Sequence, residues 1–332
     1  MLRGDRRFLV EAAYAPATVK KYSEAVSHFV IWCRRQYLDP MDSDEFDSCL
    51  TDYFHDLYDD GFSKDDARCT FYGILMFQPR LRDALPLAAL ALRGWERIAP
   101  SVAHPPITWD LTVLVAVHMA RHGKWLFAVG TLLAFDCLLR VGELVGLQRV
   151  DVADSGDARL GREYKGLALR LRKTKTGPIQ WVEVRDPSVA FLLRQLVRST
   201  RSKFLFPFSA ADFRAVFKAT CAVLGLSSRY VPHSLRHGGA TRLHLQHWSI
   251  EDILLRGRWS STRSARRYVQ SGRALLLSVD VPAAVQAKAA RFAPAPYLSL
   301  ILAHYASQLH SVVLGISCTF GLSLWAYPSF RG

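Results

Sequence analysis

Four short stretches of this sequence hold side chains able to bind and turn over an anion. Leu138-Leu139-Arg140-Val141-Gly142-Glu143-Leu144 puts an arginine at the end of an apolar run, with an acid three residues later. Arg172-Lys173-Thr174-Lys175-Thr176-Gly177 puts two lysines in a turn-like segment. His233-Ser234-Leu235-Arg236-His237 places an imidazole and a guanidinium at i and i+3, one face of a helix that Pro232 would start. Gly257-Arg258-Trp259 is followed, nine residues after the tryptophan, by Tyr268. Guanidinium stays charged and gives two parallel hydrogen bonds to a phosphate, an ammonium or imidazole moves a proton, and a phenol becomes a nucleophile once a neighbour takes its proton. Each stretch also has an ordinary reading. Arg140 could answer a helix dipole, Lys173 and Lys175 could be turn lysines, His233 and Arg236 a structural pair, and Tyr268 an amphipathic packing residue.

Those residues need positioning elements, and the hydrophobic periodicity predicts mainly helices with a small antiparallel β-hairpin. Tyr22, Val26, Phe29, Val30 and Cys33 recur at helical spacing after Thr18, and the segments Cys49–Tyr58, Ala67–Phe77 and Leu87–Ile98 lack strand-like alternation. Residues 1–99 therefore read as a small helical domain. Its acidic run from Asp42 to Asp66 reads as solvated loops and helix N-termini, since the spacing matches no calcium loop. Three prolines between Ile98 and Pro106 mark a linker over residues 100–108. In the second domain, 109–290, Leu111–Met119 and Trp125–Leu139 read as buried helices. Leu167, Leu169 and Leu171 then alternate with Ala168, Arg170 and Arg172 up to the lysine turn, and Gln180–Val184 resumes as a strand. Helical patterns follow over Pro187–Val197, Ala210–Val223, His233–Leu245 and Ile250–Leu255.

Taken in order, the motifs resemble the tyrosine recombinase family, also called the phage integrase or site-specific DNA recombinase family. His233-Ser234-Leu235-Arg236-His237-Gly238-Gly239-Ala240-Thr241 is similar to the family's H-x-L-R-H-x-x-A-T helix, Arg140-Val141-Gly142-Glu143-Leu144 to its R-x-x-E-L motif, and the Trp259 to Tyr268 interval also fits. The resemblance extends to residues 18–98, which are similar to the family's SAM-like core-binding domain. It implies an α+β catalytic domain that cleaves and rejoins DNA through a 3′-phosphotyrosyl bond on Tyr268. Arg140 and Arg236 would then meet the charge on the non-bridging phosphate oxygens, His233 would act on protons, and Trp259 would occupy the His/Trp position. Lys175, with Lys173 as second choice, would protonate the leaving oxygen, and Glu143 would orient the arginine pocket. Arg256-Gly257-Arg258-Trp259 departs from the commoner Leu-Gly-His, which leaves Arg258 or Trp259 to face the phosphate. Rival readings are a type IB topoisomerase-like enzyme and a catalytically silent, recombinase-derived DNA-binding protein.

Composition agrees with a polyanionic partner. Forty-three Lys+Arg stand against 29 Asp+Glu in 332 residues, a formal net charge of +14, and 50% hydrophobic content excludes a disordered chain. The basic residues crowd between Arg201 and Arg273, where only Asp212, Glu251 and Asp252 are acidic. The expected partner is double-stranded DNA, bound by a homo-oligomer, a tetramer as the resemblance implies, with no small-molecule substrate. No cofactor and no metal are expected, because the sequence has neither a P-loop nor a metal-ligand cluster. Six scattered cysteines without a C-x-x-C pair read as buried free thiols. With no apolar leader after Met1, they suggest an intracellular protein, nuclear in a eukaryote and nucleoid or cytoplasmic in a prokaryote. Residues 291–332 form an apolar tail. Pro296–Ser329 carries no Asp, Glu, Lys or Arg, and Ser311–Tyr327 has the length of a membrane span, although Gly315, Ser317, Thr319 and Gly321 dilute it and membrane insertion is not expected.

Overall fold

The structure is a computed structural model that describes residues 13–99, 104–161, 163–172, 179–259 and 281–292, with Thr262, Arg266, Val269, Tyr297, Ser299, Ile301 and Leu302. The chain divides into two units, Met1–Ala103 and His104–Gly332. Lys173, Lys175, Tyr268, Cys318 and Ser311–Tyr327 lie outside the described residues. Among the described residues no helix is long and apolar enough to cross a membrane.

Among its described residues the first unit packs four α-helices, α1 (Pro16–Arg35), α2 (Ser43–Asp59), α3 (Lys64–Phe77) and α4 (Pro86–Ile98), around Phe29, Leu50, Phe54, Leu57, Phe71, Ile74 and Trp95. Part of its acidic run does what helix N-termini ask of carboxylates. Asp42 accepts from the amides of Asp44 and Glu45 at the start of α2, and Asp66 accepts from Ser63 N at the start of α3. Asp47 departs from the expected solvated surface. It is buried, and its carboxylate accepts from the amides of Leu87 (2.8 Å) and Ala88 (2.9 Å), capping α4 from a neighbouring helix. Spacing along one helix gives no sign of a cap supplied to another.

The second unit starts within the expected linker. Ile107 is buried and its amide donates to Ser234 O (3.2 Å), which fastens residues 104–108 along the later His/Arg helix. α5 (Trp109–Arg121) is capped by Thr108 Oγ1, and α6 (Trp125–Asp136) is buried almost all round. α6 ends three residues earlier than its apolar run, because Leu138 turns the chain at φ 51°. A short α7 (Val141–Val145) leads to a three-stranded antiparallel sheet of β1 (Val152–Ala153), β2 (Leu167–Leu171) and β3 (Gln180–Val184), in that order, with Leu169 opposite Val182. The hairpin strands lie where the alternation placed them. The two-residue β1 is too short to leave a periodic signal.

α8 (Pro187–Ser199), α9 (Ala210–Val223), α10 (Pro232–Leu245) and α11 (Ile250–Gly257) follow, and α12 (Ala283–Phe292), absent from the sequence reading, packs against α5. Tyr297 and Ile301, read from sequence as tail, belong to the same core as Leu114, Leu132, Phe135 and Leu193. α10 lies at the centre of this unit, and its Gly238-Gly239 pair explains how closely it can approach. A Cβ on Gly238 would strike the Ile107 carbonyl, and one on Gly239 would strike the Phe135 carbonyl. Both obstacles are backbone, so neither can swing aside.

Gly238→Ala should therefore cost the second unit about 2–3 kcal/mol in urea unfolding, through overpacking against a fixed carbonyl. Gly94→Ala, in α4 with open space around it, should stabilise the first unit by about 0.5–1 kcal/mol. Equal effects at the two positions would contradict this packing.

Candidate active site

Two helix ends build the site. At the end of α6, Leu138 N donates to Phe135 O (3.4 Å) and Leu139 N to Ala134 O (3.0 Å), with Leu138 in the left-handed region. α11 ends with the same pair of bonds, from Arg258 N to Leu255 O (3.0 Å) and from Trp259 N to Leu254 O (3.1 Å), with Arg258 at φ 56°. Glycine usually takes this position, and a side chain there costs about 1–2 kcal/mol. Leu138 offsets the cost by complete burial among Ala240, Ile253 and Trp259.

The turn after α6 leaves the carbonyls of Asp136, Cys137 and Leu138 beyond the reach of the helix's own amides. Guanidiniums meet them. Arg256 Nη2 donates to Asp136 O (2.8 Å), Arg258 Nη1 to Cys137 O (3.2 Å) and Arg258 Nη2 to Leu138 O (2.8 Å). Arg236, fully buried, donates to Leu138 O and Gly257 O. Its guanidinium lies 4.5 Å over the Trp259 ring, which in turn occupies the space a Cβ on Gly257 would need.

Arg256 is paired with the Asp136 carboxylate (3.6 Å), and the Glu143 carboxylate serves Arg140, Arg236 and Arg258. Arg140 precedes the first residue of α7; its amide donates to Glu143 Oε2 (2.9 Å) and its Nη1 to Glu143 Oε1 (2.7 Å). Arg258 Nη2 also donates to Glu143 Oε2 (2.8 Å), and Arg236 Nη1 lies 4.0 Å from the same oxygen. Burial would raise the Glu143 pKa, but Arg258 first, then the Arg140 amide and side chain, outweigh it and hold the carboxyl below its ordinary value. Of the three guanidiniums, Arg140 keeps a side chain 24% exposed, against 3% for Arg258 and 0% for Arg236. Three positive charges against one negative leave a local excess that favours a further anion, and Arg140 is where it opens to solvent.

His233 stands on α10 one turn before His237, ring centroids 5.0 Å apart. Burial, then the charges of Arg236, His104 and Arg140, push its pKa down to about 4, and burial takes His237 down to about 3. At neutral pH both imidazoles are uncharged, and an anion bound beside Arg236 and Arg140 would offset the charges that weaken His233 as a base. The root of the hairpin is fixed separately. Buried Asp151 accepts from Arg170 Nε (3.1 Å) and Arg172 Nε (2.7 Å), and a cleft of about 310 Å³ lined by Gly142, Glu143, Arg170 and Arg172 separates β2 from α7.

The structure thus brings together Arg140, Glu143, His233, Arg236 and Trp259; Lys173, Lys175 and Tyr268 fall outside the described residues. Arg258 and Trp259, left open by the sequence, hold different places. Arg258 turns inward onto Glu143, and Trp259 packs its ring against the Arg236 guanidinium, with 6% of its surface exposed. Sequence reasoning missed Asp151 and the involvement of His104 and His237. His237 shares the His233 helix face, which was a usable signal, whereas nothing in the sequence pairs Asp151 with arginines about twenty residues away.

Residues 115–274 match the family model described as the phage integrase family. No curated protein matches the sequence. Among solved structures, the chain is similar to a lambda integrase(75–356) dimer bound to a COC′ core site, with TM-score 0.58 and 16% identity over 80% of this chain and 92% of that one. A lambda integrase tetramer bound to a Holliday junction gives 0.57 and 16%, over 80% of this chain and 75% of that one. The Tn1549 transposon integrase (aa 82–397) in complex with circular intermediate DNA gives 0.53 and 14%, over 78% and 98%. At these identities the likeness is one of fold.

The two depressed histidines set a pH dependence. Both folded-state pKa values lie below the ordinary value of about 6.5, so the unfolded chain binds more protons between those limits, and stability present above pH 6.5 falls as the pH drops towards 4. At pH 5 the second unit should have lost about 2–4 kcal/mol relative to pH 7, read from urea midpoints. His233→Gln/His237→Gln should flatten that slope. An unchanged slope in the double variant would place the titrating groups elsewhere.

Proposed function

We propose, from the premise that residues 115–274 belong to the phage integrase family, that this tyrosine recombinase cleaves and rejoins double-stranded DNA through a covalent bond from Tyr268 to a 3′-phosphate. The arrangement of Arg140, Arg236 and Arg258 around the single Glu143 carboxylate, beside neutral His233, carries the reading. Attack of the Tyr268 oxygen on the phosphodiester passes through a five-coordinate phosphorane with added negative charge on its non-bridging oxygens, which preorganised cations stabilise better than water does. Arg140 supplies the exposed guanidinium. Arg236 lies one layer deeper, and DNA binding would have to bring the phosphate to it.

The bond between Tyr268 Oη and phosphorus forms while that between phosphorus and O5′ breaks. The phenolic proton passes to His233, uncharged at neutral pH as this requires, and O5′ takes a proton from Lys175 or Lys173 on the turn beyond Arg172. Reversal by an incoming 5′-hydroxyl rejoins the strand and returns the protons. Because the phosphodiester energy stays in the phosphotyrosyl bond, this path needs no nucleotide cofactor. The DNA-bound dimer and Holliday-junction tetramer among the similar structures support DNA as the partner and assembly on it. The basic stretch from Arg201 to Arg273 supports the same partner, through phosphate contacts that should weaken steeply with salt.

A nicked suicide duplex, on which the released strand diffuses away, should trap the protein covalently, and Tyr268→Phe should abolish the adduct. An adduct that survives in Tyr268→Phe would overturn the nucleophile, and binding without any adduct would favour the silent DNA-binding protein. A 5′-phosphorothiolate leaving group, which needs no protonation, should rescue Lys175→Ala; rescue of Lys173→Ala in its place would move the acid there.

A further inference from the structure

We propose that Arg258 is a positioning residue for Arg140, holding the Glu143 carboxylate and the turn after α6 so that the Arg140 guanidinium faces the scissile phosphate. The inference rests on the strand-transfer reading above.

Four hydrogen bonds from one guanidinium carry it. Arg258 Nη1 donates to Cys137 O (3.2 Å) and Arg256 O (3.0 Å), and Nη2 to Leu138 O (2.8 Å) and Glu143 Oε2 (2.8 Å). Cys137 and Leu138 immediately precede the Leu139-Arg140 step, and Glu143 grips Arg140 at both its amide and its side chain. Arg258 therefore fixes the backbone ahead of Arg140 and the acid that aims its side chain. Both of its Nη groups are fully engaged by these protein acceptors, so Arg258 could reach a DNA phosphate only by breaking one of those bonds.

The backbone adds an independent observation. Arg258 holds φ 56° at a helix end where glycine would be unstrained. Strain retained at such a position points to what the side chain does. A planar fork can serve three carbonyls and a carboxylate together, which a lysine ammonium on a flexible stem cannot do with the same geometry. The charge balance follows the same division. Arg258 answers Glu143 from inside, so that Arg140 can orient on Glu143 and still present positive charge outward.

The test uses two variants of the full chain and two substrates. Arg258→Gly removes the guanidinium and relaxes the backbone; Arg258→Lys keeps a positive charge, loses the fork, and decides the matter if the glycine variant does not fold. The substrates are suicide duplexes with an ordinary scissile phosphate or a methylphosphonate, whose missing negative charge removes the demand that Arg140 meets. On ordinary phosphate both variants should form adduct roughly 10²-fold more slowly, the size of losing one preorganised donor, with DNA affinity little changed. The methylphosphonate stereoisomer that rescues Arg140→Ala should rescue them too, and Arg140→Ala/Arg258→Lys should react no more slowly than Arg140→Ala. Variants as fast as wild type, or slow on both substrates with losses that multiply in the double variant, would overturn the assignment. Wild-type protein that forms no adduct on ordinary phosphate would overturn the strand-transfer reading and this inference with it.

Discussion

The site depends on how the buried carbonyls at the end of α6 are satisfied. A helix that stops inside a protein leaves acceptors that must find donors, and three guanidiniums from α10 and α11 supply them at Asp136, Cys137 and Leu138. The bonds that finish one helix also gather positive charge where the chain emerges into Arg140. Glu143 makes that concentration tolerable by giving the buried cations a shared partner. Breaking such an arrangement by removing one member costs about 3–5 kcal/mol, because the charges left behind have lost their solvation. Structure and chemistry are therefore hard to separate here.

The glycines and the strained turns belong to the same arrangement. Gly238 and Gly239 let α10 approach the Ile107 and Phe135 carbonyls, Gly257 lets the Trp259 ring fold back under Arg236, and Leu138 and Arg258 accept left-handed backbone so that both helices turn sharply. Burial of His233 and His237 in this packing keeps both uncharged well below neutral pH and leaves the positive charge of the site on the guanidiniums. A phosphate would meet oriented cations and an uncharged base without prior reorganisation of solvent, the condition under which electrostatic stabilisation is largest.

Much of this was legible in the sequence where a signal is local. The β2–β3 hairpin, the buried α5 and α6, the His233/Arg236 face and the Arg140-x-x-Glu143 pair each follow from period or spacing. What escaped the sequence depends on distant partners. α6 looked three residues longer because apolar content does not reveal that Leu138 adopts positive φ. Asp47 looked solvated because its partners are the amides of another helix. Asp151 gave no sign that it anchors Arg170 and Arg172. Residues 104–108 and Tyr297 read from sequence as linker and tail, on prolines and hydropathy, yet Ile107 and Tyr297 are part of the core of the second unit. The choice between Arg258 and Trp259 could not be made from a linear motif, since it turns on which side chain the α11 turn throws inward.

In the proposed reading Glu143 and Arg258 aim Arg140 at a phosphate. A crystal structure of the protein on DNA, trapped with vanadate in place of the scissile phosphate, tests it most directly. The Arg140 guanidinium should lie within hydrogen-bonding distance of a non-bridging vanadate oxygen, with the Arg258 to Glu143 bond retained. Vanadate bound by Arg258, with Glu143 released and Arg140 turned away, would contradict it.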